Sequence, residues 1–527
     1  MKSKSNIQHL TFNAEHRSEL AHGFSSALDV ECFTFPTMSK PLSRRTFLRQ
    51  LNCAAVGSSA ILNTLLNLKL ANTVAAQTAP NNNNKALVCL FLSGGCDSFN
   101  VLVPWEQTRY NTYAITRGAF GSDGGLALDR NLLRQLAAPA NDFALHPSCA
   151  NLQAMANGTG AFAGKQRLAF VSNVGTLVQP VTKAQFNAWE NGNNAALPVP
   201  KALFSHSDQI EQWQTAVPQG QAQLSGWAGR CADILNSYYN TGALTSMSIS
   251  LGGNNVFQVG NTTQQFVVTP SGALSFEGDT GGSANNPLQF KNSALRSTLD
   301  QHYTNLLTES FSQLTKQSDS TQLLFQTQFS SPNADLGAAV DALFPPNNYL
   351  ATTLKAVVKT IKIRAQLGLK RQTFFVNYGG WDHHGELLNT EAGMLATLDT
   401  AIGAYQQALE MLGLQDEVIS FTASDFGRTL RSNGRGTDHA WGANAMVFGG
   451  KVDGGKIFGT YPDLTLDGPD DVGRGGRLLP STSVDAYFAE LLRWFGVSSG
   501  NMSYVLPNVA NFWNPTSSTG PLGFVKP

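Results

Sequence analysis

The sequence predicts an α/β fold built on a mostly parallel central sheet, and three observations predict it. Short, continuous runs of apolar, β-branched and aromatic residues recur along the chain, the mark of strands buried on both faces. A long segment between them carries its apolar residues at helical spacing. Several of the runs open directly into polar, glycine-rich loops. Strands alternating with helices bury such a sheet between helical layers.

The elements follow in order. ALVCLFL (86–92) begins abruptly after the polar stretch QTAPNNNNK (77–85), so the first strand starts where a linker ends. RLAFVS (167–172), TFFVNY (373–378), EVISFTA (417–423) and AMVFGG (445–450) repeat its signature. Residues 243–293 differ, with glycine-rich and alternating pieces such as MSISLGG and QQFVVTP, and read as a β-hairpin insertion. A long helical passage, 294–370, follows. In 394–413, Leu395, Leu398, Ile402, Tyr405, Leu409 and Leu412 share one helix face. VDAYFAELLRWFG (484–496) has a similar face and a glycine stop, which is the pattern of core packing.

At 527 residues, with 42% hydrophobic and 14% charged residues, the chain has globular composition and length for a large core. Lys+Arg and Asp+Glu both number 36, which argues against a nucleic-acid surface.

Residues 1–76 read as a targeting segment with an N-terminal extension. SRRTFLR (43–49), a weakly apolar run, LNCAAVGSSAILNTLLNL, and the small-residue stretch ANTVAAQ together resemble the twin-arginine export signal. Asn52, Asn63 and Asn67 make the run too polar for a membrane span, so no transmembrane helix is expected in the mature chain. Met38 opens MSKPLSRR and competes with Met1 as the start, and cleavage is expected near Ala76. The resemblance implies the twin-arginine translocase as export partner and a periplasmic or secreted product. Removing the segment, with its 8 basic and 4 acidic residues, leaves 28 Lys/Arg against 32 Asp/Glu. Cys89, Cys96, Cys149 and Cys231 remain, either paired in one of three ways or standing as small buried residues with at most one bridge. Replacing Arg44 and Arg45 with lysines is expected to trap the precursor in the cytoplasm. Unchanged periplasmic delivery in a fractionation blot would show the signal to be misassigned.

The chemistry gathers in the loops. SGGCDSFN (93–100), GGWDHHG (379–385) and SDFGRT (424–429) follow strands, and NGRGTDHAWG (433–442) comes soon after. In open parallel sheets ligands collect beyond the carboxyl ends of strands, where such loops converge. Asp97, Asp382, Asp425 and Asp438 can therefore meet in space, joined by His383, His384 and His439. Three of the six histidines beyond the signal lie in these loops. Carboxylate oxygens with neutral imidazole nitrogens are donors for a divalent cation such as Zn2+ or Mn2+. Taken singly, each aspartate also reads as a cap for the next helix. Arg428, three residues past Asp425, is placed to hold an anionic substrate's oxygens, whereas Arg431 and Arg435 fit a solvated turn.

FLSGGCDSFNVLVP, FALHP (143–147), SHSDQIEQW (205–213), GGWDHH, TASDFGRT and NGRGTDHAWGANAMVFGG resemble the signature blocks of the DUF1501 family, exported proteins of undefined function. The blocks cover about residues 86–497, which implies a single domain from 86 to 527. That family in turn resembles the alkaline phosphatase and sulfatase superfamily, α/β sandwiches with metal-dependent phosphoryl or sulfuryl transfer. The resemblance implies Asp97, Asp382 with His384 or His383, Asp425 and His439 as metal ligands. Phe426 departs from it, standing where many superfamily members have a histidine after the strand-end aspartate. Ser205, at a helix start, matches the nucleophile position, with Ser98 as competitor. Each also reads blandly, Ser205 as a cap and Ser98 as loop polarity. ALFSH contains no Cys-x-Pro-x-Arg, which argues against a formylglycine sulfatase. Two functions follow from the resemblance. One is an exported metal-dependent hydrolase of a small anionic phosphate or sulfate ester, using Ser205 or activated water. The other is a catalytically silent fold that binds or assembles cell-surface polymer.

Overall fold

The computed structural model describes residues 83–220, 225–274 and 287–526, all within the unit Leu66–Pro527. The predicted signal and most of the linker lie outside the described residues, and Lys85 already opens the first strand.

Most of the strands that build the site share one direction because helices carry the chain back between them. β1 (Lys85–Leu92) is followed by α1 (Gln107–Arg117), β2 (Leu168–Gly175), α2 (His206–Thr215) and α3 (Trp227–Tyr239). Three short strands come next, β3 (Ser248–Ser250), β4 (Phe266–Thr269) and β5 (Gly272–Ala273). Then come α4 (Tyr349–Lys362), β6 (Arg371–Asn377), α5 (Leu387–Met411), β7 (Val418–Ser424) and β8 (Ala443–Gly449). β9 (Ile457–Phe458), β10 (Thr482–Ser483) and α6 (Val484–Phe495) complete the set. The sheet order is β9-β2-β8-β7-β1-β6-β3-β4-β5, with β10 also paired to β2.

β1 lies at the centre, parallel to β7 on one side and β6 on the other. Leu92 is level with Ser424, and Phe91 with Asn377, so three strands end together. β8 runs antiparallel to both β7 and β2, so it starts at the edge where its neighbours finish. The loop that enters β8 therefore shares that edge. Apolar runs report burial and not direction, which is why the reversal was not visible in AMVFGG.

The stretch predicted as a β-rich insertion extends this same sheet. β3 pairs parallel with β6 and with β4, and only β4–β5 forms the antiparallel hairpin that the alternation suggested. The helical passage begins within the predicted insertion, at Pro287–Leu299, and continues through Leu306–Phe329 to α4.

Side-chain alternation along β7 shows both layers of the sandwich. Phe421 packs against Trp227 of α3 and against Tyr487 and Phe488 of α6. Ser420 points the other way, with its Oγ 3.1 Å from Tyr405 Oη of α5. Tyr405, Leu395, Leu398, Ile402 and Leu409 are all buried, so the helical periodicity marks the face that covers the sheet. Leu412 packs at its margin. Cys89, Cys96, Cys149 and Cys231 are each buried and free, so these four act as small apolar residues. No described helix is long and apolar enough to cross a membrane.

Candidate metal centre

The shared edge of β1, β6, β7 and β8 gathers the predicted loops. Asp382 and His384 follow β6, Asp425 follows β7, and Asp438 and His439 precede β8. Glycines permit the crowding. A Cβ on Gly94, whose φ is +119°, would lie 2.6 Å from the Asp382 amide nitrogen, so the β1 loop and the 380s loop touch by backbone.

Three imidazoles and one carboxylate converge there. His384 Nε2 lies 3.0 Å from both Asp382 Oδ1 and His439 Nε2. His439 Nε2 is 3.3 Å from Asp382 Oδ1, and His206 Nε2 is 3.5 Å from Asp382 Oδ2. One donor atom each from His206, Asp382 and His439 lies within 4.8 Å of the others. Bonds of about 2.0–2.1 Å to a tetrahedral zinc place donors roughly 3.4 Å apart, close to the 3.0–3.5 Å between the Asp382 oxygens and the three Nε2 atoms.

Behind each imidazole stands an acceptor. His206 Nδ1 lies 2.7 Å from Asp425 Oδ2, His439 Nδ1 lies 2.7 Å from the Phe204 carbonyl, and His384 Nδ1 lies 3.3 Å from Asp438 Oδ1. In the tautomer that gives the Nδ1 proton to these acceptors, each Nε2 offers a lone pair. Lone pairs from three rings then face one another and a carboxylate. With a cation that tautomer is a ligand set whose rings are already oriented; without one, Nε2 can instead donate to the Asp382 carboxylate. Burial lowers the pKa of His439, which keeps that ring neutral. Burial works to raise the Asp382 carboxyl, but hydrogen bonding and charge from Arg428, with His384 and His206, hold it below the usual range.

Asp425 is almost wholly buried, and burial raises its pKa against the opposing effects of His206 and the Gly94 amide. Asp438 sits at the mouth, lowered first by the hydrogen bond from Asn433 and then by His384. Phe426 closes the back of the cluster, with its ring 4.8 Å from His206 and 4.5 Å from His439. The position that departs from the superfamily pattern is thus an apolar wall against two of the donors.

The predicted residues divide. Asp382, His384 and His439 meet directly, and of the adjacent pair His383 turns inward beside Trp381. Asp425 reaches the cluster through His206. Asp97 does not join it, because its carboxylate forms a fully buried ion pair with Arg117. Arg428, expected to hold a substrate's oxygens, is wholly buried and gives its guanidinium to the protein. Nη1 donates to Asp382 Oδ1 at 2.7 Å, Nε donates to Thr437 Oγ1 at 3.1 Å, and Nη2 donates to the Thr437 carbonyl. Its place is beneath the ligand, as an anchor.

Ser205 occupies the cap position of α2, but its hydroxyl donates to Asp208 Oδ2 at 2.6 Å and caps no backbone amide. Ser98 is buried, and its Oγ accepts the Asn444 amide at 2.8 Å. His206 was missed by sequence reasoning, although it lies inside the quoted block SHSDQIEQW. Its signal was a histidine at the first position of a helix, where a side chain projects with the exposed amides toward the sheet edge.

A family model described as "Protein of unknown function (DUF1501)" matches residues 84–472. No curated protein matches the chain. A solved structure titled "Crystal structure of Ps i-CgsB" is 12% identical over 82% of this chain and 77% of that one, with a TM-score of 0.29. The same protein in complex with k-i-k-neocarrahexaose gives the same figures. The lipooligosaccharide phosphoethanolamine transferase A (EptA) from Neisseria meningitidis, an integral membrane protein, is 9% identical over 92% of this chain and 72% of that one, also with a TM-score of 0.29.

Proposed function

We propose that this chain, which belongs to the DUF1501 family, is an exported metal-dependent hydrolase of a phosphate or sulfate ester, acting at the histidine-rich edge of its sheet. One observation carries the reading: three imidazoles, each backed by an acceptor at Nδ1, turn Nε2 toward a single carboxylate. His206, His384, His439 and Asp382 would hold the cation. Three nitrogens and one oxygen suit zinc better than manganese. When bound, a divalent cation supplies Lewis-acid polarisation of an ester oxygen and a lowered pKa for water.

The chain's own residues set the rest. Asp425, the Phe204 carbonyl and Asp438 fix the rings, and Arg428 fixes the carboxylate. Phe426 excludes water from behind the cluster. The more exposed His384 and Asp438 mark the side from which an ester approaches. Ser205 gives its hydroxyl hydrogen to Asp208, which favours water over serine as nucleophile. The strand-end placement of Asp382 and Asp425 supports the alkaline-phosphatase-like reading of the fold.

A specific observation favours the silent alternative, a binding or assembly protein for surface polymer. Arg428 is committed to Asp382, Arg435 to Glu386, and Arg477 gives its Nε hydrogen to the His439 carbonyl and stacks on Phe204, so none of the three is aimed at an anionic group. Zinc-loaded and zinc-stripped protein assayed against a panel of phosphate and sulfate monoesters distinguishes the two. Zinc-dependent hydrolysis of at least one ester is expected. Stoichiometric zinc with no turnover across the panel would favour the silent fold.

A further inference from the structure

Both carboxylate oxygens of Asp425 are engaged within the protein. The residue follows β7 directly and is 1% exposed. Oδ1 accepts the Gly94 amide at 3.0 Å, and Oδ2 faces His206 Nδ1 at 2.7 Å. The Gly94 backbone is itself wedged against the 380s loop, so Oδ1 cannot swing free without parting two loops.

His206 depends on this contact. The other histidines of the cluster come from the loops after β6 and before β8, whereas His206 is delivered by the start of α2. The segment leading into α2 is strained: Ala202 and Phe204 hold φ of 47° and 74°, a region that residues with a Cβ rarely occupy. That strain persists because surrounding groups pin the segment. His439 Nδ1 binds the Phe204 carbonyl, Arg477 stacks 3.8 Å over the Phe204 ring, and Asp425 holds His206. Asp425 is the only one of the three that fixes His206's own ring nitrogen.

From this geometry we infer that Asp425 is the positioning residue of the metal centre and not one of its ligands, acting on the cation only through His206. The inference rests on the metal-centre reading above and corrects the sequence expectation that Asp425 coordinates directly. Carboxylates that hold a ligating histidine in this way fix its tautomer and direction, and their loss typically weakens metal binding about 10- to 100-fold without emptying the site.

A double-mutant cycle on the full mature chain tests it, with zinc affinity read by competition against a chromophoric chelator. Asp425→Asn keeps an acceptor for Gly94 or His206 and guards against simple misfolding, which a thermal melt monitors. Asp425→Asn and Asp425→Ala are each expected to bind one zinc per chain about 10- to 100-fold more weakly than wild type. In a His206→Ala background, where the ring is gone, adding Asp425→Ala is expected to cost no further affinity. An additive loss in that background would make Asp425 a direct ligand and overturn the inference. Unchanged affinity for Asp425→Ala in the wild-type background would overturn it as well. A wild-type protein that takes up no zinc is a different result, because it overturns the metal centre on which the inference stands.

Discussion

Changing Asp382 to asparagine and His439 to glutamine together is expected to reduce bound zinc from stoichiometric to background, while the protein stays folded. Asp382 is the hub of the cluster, within 3.0–3.5 Å of His206, His384 and His439. Removing its charge and one imidazole leaves two nitrogen donors, too few to hold a divalent cation against water. The choice of asparagine matters. Arg428 is wholly buried, and its Nη1 donates to Asp382 Oδ1, so an alanine there strands a buried cation. That stranding costs ~1–3 kcal/mol, toward the lower end because the 42%-exposed Asp382 side chain is screened by solvent. An asparagine oxygen still accepts from Arg428, which separates loss of metal from loss of fold. The measurements are elemental analysis of the purified variants and their melting temperatures beside wild type. Zinc retained at one per chain in the double variant would remove both residues from the site.

Much of this site was legible because its loops follow strands whose apolar runs are unmistakable. TFFVNY and EVISFTA place Asp382 and Asp425 at one sheet edge by topology alone. Division of labour was less legible. An aspartate after a strand reads the same whatever it faces, and here Asp382 meets three imidazoles and the Arg428 guanidinium, Asp425 meets one imidazole, and Asp97 meets the Arg117 guanidinium. What separates them is burial and the partner at hand: Arg117 comes from α1, 20 residues from Asp97, and His206 from α2, 219 residues from Asp425. Arg428 misled for the same reason. Its spacing from Asp425 suggested a pocket residue, but the turn before β8 wraps Thr437 around its guanidinium and leaves only Asp382 to receive it from the site. His206 hid behind Ser205, whose cap position drew the functional reading one residue too early.

The second large effect lies away from the cluster and concerns pH. VDAYFAELLRWFG was read as core packing, and the core places a carboxyl where none is comfortable. Asp485, in the first turn of α6, is fully buried. Burial, opposed only in part by backbone amides at Asp485 and Asn508 and by the charge of Arg230, pushes its pKa from 3.8 to about 8. The sign follows from proton binding. Between those two values the folded chain keeps the proton and the unfolded chain has lost it, so stability falls as pH rises across that window. This one group is expected to remove about 1 kcal/mol of stability per pH unit through the window, with the loss levelling off above about pH 8. Asp485→Asn carries no such proton. Its urea midpoint should therefore fall less steeply than wild type between pH 5 and 8, whatever the absolute stability of the variant. The comparison of slopes isolates Asp485, because every other titrating group is common to both chains. Parallel slopes for wild type and variant would show that Asp485 is ionised in the folded protein. In that case a charge sits in the core beneath α6, and Arg230, already near it, becomes the partner that sustains it.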